Sequence, residues 1–152
     1  MSGPEDEALA REIGKLGDRV GVAMGLVGHV GIGAEVVARF LPTERFQAEV
    51  TADGDATTIL ARVRDILASH GRLATNAEAG VSQYPKLSGV IGSGHFNLNP
   101  TIVHVEIIAV NGARTTLLIT AAAKEGLLKQ RSAEKAVRRF LGWLDITAKG
   151  RS

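Results

Sequence analysis

Cysteine is absent from this chain of 152 residues. Its absence excludes disulfides and thiolate metal sites and fits a reducing compartment. Aromatic residues are scarce, with one Trp, one Tyr and four Phe, so small aliphatic side chains must line any interior or pocket. Long hydrophobic runs are missing too. The uncharged run Val20 to Ala34 has 15 residues, short of the ~20 that a membrane-spanning helix needs. The opening MSGPEDEALAREIG is acidic and has no basic region before an apolar core, as a secretory signal would. A cytoplasmic location without a transmembrane segment is the expectation.

Charge of one sign is also lacking overall. The net charge of +2 is not a nucleic-acid signature, although the distribution is uneven. Residues 1–19 carry three basic and five acidic groups, whereas residues 124–152 carry eight basic and three acidic ones. No Gly-x-Ser-x-Gly elbow or cysteine nucleophile is present. The sequence implies no catalytic residue, no cofactor and no resident metal.

What is present fits one folded domain of ordinary size. The chain divides into an N-terminal helical and glycine-rich segment over 1–44, a domain over 45–145, and a frayed tail over 146–152. From Glu5 to about Arg19, Leu9, Ile13 and Leu16 fall on one side of a helix. Gly14, Gly17, Gly21, Gly25 and Gly28 then recur at spacings of three and four, which on a helix would form one stripe. Two readings fit residues 14–33. One is an irregular, turn-rich segment, favoured by its density of helix breakers. The other is a close-packed helix of the small-xxx-small kind, which would need a cover for its apolar surface. The second reading predicts a homodimer through residues 5–40. A short helix over 34–41 ends at Pro42. Gly31-Ile32-Gly33 with Asp53 imitates a dinucleotide-binding turn, but Val36 replaces the third glycine and the hairpins that follow do not make a doubly wound sheet.

Arg45 to Ala52 alternates as a strand, with Phe46, Ala48, Val50 and Ala52 on one face. Asp55 is placed to cap a helix over Ala56 to His70, and Gly71 stands at its expected C′ position. Leu73 to Ala79 reads as a weaker strand. Leu87 to Ile91 is extended, Gly92-Ser93-Gly94 bends or bulges it, and Asn99-Pro100 turns into the central hairpin. That hairpin, Thr101 to Ala122, folds back at Asn111-Gly112. A three-residue loop, Val110 to Gly112, sets Val103, Val105 and Ile107 opposite Ile119, Leu117 and Thr115. Ser132 is the expected cap of a final helix. Its core stripe is Ala133, Ala136, Val137, Phe140, Leu141 and Leu144, with Trp143 packing at the flank.

These elements predict an α+β fold: an antiparallel sheet of about five strands with two amphipathic helices on one face. The order over residues 45–145 resembles the TATA-binding-protein-like fold and, more loosely, the helix-grip fold of small-ligand carriers. The resemblance is one of element order, so it assigns a role to no residue.

Three functional readings follow. A non-enzymatic module would hold a small ligand in an apolar pocket between sheet and helices, or bind another protein. Its polar candidates are Ser93, Gly94, His95, Asn97, His104 and Glu106: Gly92-Ser93-Gly94-His95, with Asn97 and Asn99 following, would form a nest of backbone N–H groups for an anion, while His104 and Glu106 share a strand face and would join His95 as metal ligands if they were not ordinary sheet-surface residues. The same cluster of Ser93, His95, His104 and Glu106 is the candidate site of an enzyme. A third reading uses Lys135, Arg138 and Arg139 on the last helix to bind nucleic acid or an anionic membrane. Without exposed aromatics between these cations, a solvated helix face is the plainer explanation. Glu106 is set to pair diagonally with Arg114.

Overall fold

The computed structural model describes residues 6–13, 15, 41–74, 78–79, 83–93, 99–125 and 131–145. The glycine stripe, the Gly31-Ile32-Gly33 motif and the helix expected over 34–41, except Leu41, lie outside the described residues. The architecture is α+β, as the pattern predicts. Helix α1 covers 6–13. It is followed by β1 (Thr43–Asp53), α2 (Ala56–His70), β2 (Gly71–Leu73), β3 (Glu78–Ala79), β4 (Pro85–Ser93), β5 (Asn99–Asn111), β6 (Arg114–Lys124) and α3 (Ser132–Trp143). The strands run β1-β6-β5-β4-β2, with β3 beside the start of β4, and every pairing is antiparallel.

The strand alternation sends Val50, Ala52, Leu87, Val103, Val105, Ile107, Leu117 and Ile119 to one buried face. Helix α2 lies over β4 and β2, and α3 over β1 and β6. Their stripes, Ile59, Val63, Ile66 and Leu67 from α2 and Ala136, Val137, Phe140 and Leu141 from α3, close the core. Each fully buried Leu or Phe contributes about 1.5–3 kcal/mol relative to exposure. Trp143 does pack, stacked on His70 at 3.9 Å between ring centroids. That contact joins the last turns of α2 and α3.

The central hairpin differs from expectation in where its extra residue sits. The loop is two residues, Gly112-Ala113, with Asn111 opposite Arg114. Gly112 takes φ +60, as a glycine at the first position of such a loop can. The bulge falls within β5, between Ile107 and Ala109. Beyond it Val103 faces Ala121 and Val105 faces Ile119, two residues away from the expected pairing. A shift of two preserves the side of every side chain, so the alternation that fixed the faces was blind to it.

Four further expectations change. Gly71 is in extended backbone (φ −164) and opens β2 instead of forming a left-handed cap. Glycine serves there because a Cβ would lie 2.2 Å from the Val90 carbonyl oxygen. The strand expected from Leu73 to Ala79 is divided between β2 and β3. Asn99 and Pro100 do not turn; they pair with Ser93 and Gly92 as the start of β5. Ser132 is the first residue of α3, not its cap. Arg131 precedes it in the left-handed region (φ 52) without a side-chain cap, a conformation that costs a non-glycine residue about 1–2 kcal/mol.

The N-terminus of α3 is held by two distant carboxylates. Ser132 N–H donates to Glu125 Oε1 (2.9 Å) and Ala133 N–H donates to Glu44 Oε2 (2.8 Å). Asn99 Nδ2 donates to the Lys124 carbonyl and to Ser132 Oγ, tying β5, β6 and α3 together. Burial first, then the hydrogen bond and charge of Glu125 and the charge of Glu134, pushes the Glu44 carboxyl above its usual range. The Ala133 N–H opposes that shift.

Helix α1 lies on the opposite face of the sheet. Leu9 is fully buried against Ile102 and Ala122, with Ala8 and Val90 beside them. Asp6 accepts from Lys124 Nζ (3.1 Å) and from Thr43 Oγ1. At the other end Glu12 pairs with Lys15 (2.9 Å) and with Arg72. Burial works to raise the Glu12 pKa, but the hydrogen bonds and charges of Lys15 and Arg72 outweigh it and hold the carboxyl below its usual range. The helix therefore crosses the strands along one row, Arg45–Ala122–Ile102–Val90–Arg72, which the register places side by side.

Candidate functional site

On the face under α1, polar side chains converge on the sheet. Because side chains alternate, the next row along the strands on that face is Gln47–Thr120–His104–Ser88. Here four polar residues from four strands stand side by side next to the apolar row that seats α1. Ser88 Oγ and His104 Nδ1 are 2.7 Å apart. With Ser88 donating, the ring carries its proton on Nε2, which is shielded from solvent. The row after that holds Glu49, Leu118 and Glu106, and Lys86 Nζ lies 3.7 Å from Glu106 Oε1.

At the β1 end of these rows a half-open cleft of about 260 Å³ is lined by Arg45, Phe46, Gln47, Thr120, Ala121 and Ala122. Arg45, Gln47 and Thr120 face into the α1 side of the sheet by strand alternation. They bring a guanidinium, an amide and a hydroxyl to the rim of a small opening. The chemistry is that of hydrogen-bond donation to an acceptor-rich molecule.

The residues singled out by sequence fare unevenly. His104 and Glu106 do share a face, but they serve different partners, Ser88 and Lys86. Glu106 does not pair with Arg114, whose guanidinium lies 3.4 Å from Asp53; the shifted register puts Leu118 opposite Glu106 instead. Gly94, His95 and Asn97, and the side chain of Ser93, lie outside the described residues. Among the described residues no three His, Cys, Asp or Glu side chains are grouped to hold a metal. No helix there is long and apolar enough to cross a membrane.

On α3, Lys135, Arg138 and Arg139 are exposed, as expected. Glu134 neutralises part of that face, lying 2.8 Å from Arg138 and 3.8 Å from Arg131. Arg139 donates to the Gly92 carbonyl (3.4 Å). Sequence reasoning missed Arg45, Gln47, Ser88 and Thr120. Their only local signal is polarity at alternate strand positions, and register alone reveals that they adjoin. Compared with known proteins, the chain matches no family model and no curated protein sequence.

Proposed function

We propose that the chain is a non-enzymatic binding module whose ligand is a small molecule carrying a carboxylate or phosphate. The observation that carries this reading is the cleft on the α1 side of the sheet, where Arg45, Gln47 and Thr120 bring three donors together over β1 and β6. The space between the sheet and α2 and α3, where an apolar pocket was expected, is occupied by fully buried side chains such as Phe140, Leu67, Ile91 and Ile107. A binding role is favoured over a catalytic one because Ser88, the hydroxyl beside His104, is buried away from solvent and Glu106 is paired with Lys86. General acid–base work needs such groups directed at a substrate.

Native mass spectrometry of the full chain, purified without denaturation and then exposed to acetate or phosphate, tests the reading. A small-mass adduct is expected. Arg45→Ala should weaken it about tenfold, the usual scale for losing a charge-assisted hydrogen bond, and Thr120→Val should weaken it less. The reading falls if no adduct forms, or if one forms equally in both variants.

A further inference from the structure

Among the described residues, strand β1 closes one side of the sheet, bonded to β6 alone in the strand order. It is long, with eleven residues, and its register with β6 runs unbroken from Thr43 to Asp53. The opposite side of the sheet ends in the short strands β2 and β3, of three and two residues. An edge is normally blunted by brevity, a bulge, proline or an inward-pointing charge. Strand β1 is long and has no register break against β6, and Pro42 stands before it. Its one inward charge, Glu44, is engaged by the first turn of α3.

On the α1 side of the sheet β1 shows Arg45, Gln47, Glu49 and Thr51, all exposed. This series is complementary to itself. If a second β1 is laid antiparallel with Gln47 against the partner's Gln47, Arg45 meets the partner's Glu49 and Glu49 meets the partner's Arg45. Thr43 then meets the partner's Thr51. On the other face the half-buried Phe46 is covered by the partner's Ala48. Centring the pair one residue on loses both ion pairs. Centring it on Glu49 sets that carboxylate against its own copy, which is destabilising.

We propose that β1 is an interface with a second copy of this chain, the two strands pairing antiparallel about Gln47 to extend one sheet through both subunits. Backbone hydrogen bonding supplies the attraction and the Arg45–Glu49 pairs set the register. The contact is isologous, as a two-fold dimer requires.

The test is sedimentation of the full chain at micromolar concentration, combined with cross-linking. The wild type should sediment as a dimer. Glu49→Arg replaces two attractions with two repulsions and should raise the Kd about tenfold, whereas Arg45→Glu with Glu49→Arg should recover most of the loss. Because the chain has no cysteine, Gln47→Cys supplies a unique thiol. Directly opposed residues in an antiparallel pair have Cα atoms about 4.5–5.5 Å apart, within disulfide range. Gln47→Cys should therefore cross-link to itself under mild oxidation, and Thr51→Cys should not. A monomer at high micromolar concentration overturns the proposal. So does a dimer indifferent to Glu49→Arg, as an interface through residues 5–40 would give, or equal cross-linking at positions 47 and 51.

Discussion

Helices α2 and α3 present similar apolar stripes to the same face of the sheet, yet their N-termini are held in opposite ways. Helix α2 carries its own cap: Asp55 accepts from Thr58 N–H (3.0 Å) and Thr58 Oγ1 (2.7 Å), three residues away and exposed. Helix α3 begins on a left-handed Arg131. It borrows its caps from Glu125, seven residues back, and from Glu44, 89 residues back. A local cap forms with the helix, in water. A borrowed one forms only when the sheet is complete, and it places carboxylates near one another. The first helix start is thus local chemistry, and the second is a product of tertiary structure.

The largest effect should come from breaking the borrowed cap. Glu125 is almost fully buried, so Glu125→Ala strands the Ser132 N–H away from water. Loss of a partner at a buried donor costs about 1–3 kcal/mol, which a urea midpoint would register. The same substitution should leave α2 intact, and amide exchange at Thr58 would confirm it. A loss spread evenly over both helices would break the contrast.

The pH response sharpens the comparison because the two caps have opposite signs. The hydrogen bonds of Thr58 to Asp55, side chain before backbone, hold that carboxyl below its usual range. Its contribution is therefore complete above the unfolded aspartate value and is lost as pH falls through the lower folded value. Glu44, raised by burial and by Glu125, behaves the other way. Its contribution is complete below the unfolded glutamate value and is lost as pH rises through the higher folded one. Glu44→Gln should leave stability at neutral pH within about 1 kcal/mol of wild type and flatten the decline above about pH 4.3. Asp55→Asn, which still caps well, should flatten only the acid limb. Urea midpoints across a pH series would show both. Matching slopes in the two variants would contradict the assignment.

The helices' other ends give the smallest effect. His70→Ala removes the ring stacked on Trp143 and should cost about 0.5–1 kcal/mol. Emission from the sole tryptophan should move to longer wavelength as water reaches the indole. An unchanged spectrum would mean that the two C-terminal turns are not joined through this stack.

The same distinction decides what the sequence could disclose. Helix α2 was legible to the residue because Asp55, the stripe from Ile59 to Leu67, and a stop at His70 are all local. The stripe of α3 was equally plain, but its caps were not, since no spacing links Glu44 to Ala133. The faces of β5 and β6 were readable from alternation, whereas their register, which only the position of the bulge near Ile108 decides, was not. Of the α1 docking, the sequence disclosed the apolar side of the helix but not Ile102 and Ala122 beneath it. The site was the least legible part. Arg45, Gln47, Thr120, His104 and Ser88 come from four strands, and nothing in one strand names its neighbours.

The end of β6 has a consequence for how the outer layers move. Lys124 points to the α1 side and is bound by Asp6, while Glu125, the next residue, reaches the first turn of α3 on the other side. Lifting α1 would leave the almost fully buried Lys124 ammonium without the Asp6 carboxylate. The ammonium would keep the Leu41 carbonyl at 3.2 Å, and any turn of the strand end that follows the lost partner carries the Glu125 carboxylate with it. One peptide bond thus couples the two outer layers across the full thickness of the sheet. The line of contacts from the N-terminal helix to the start of the C-terminal one runs through the backbone of one strand end, beside the core rather than through it.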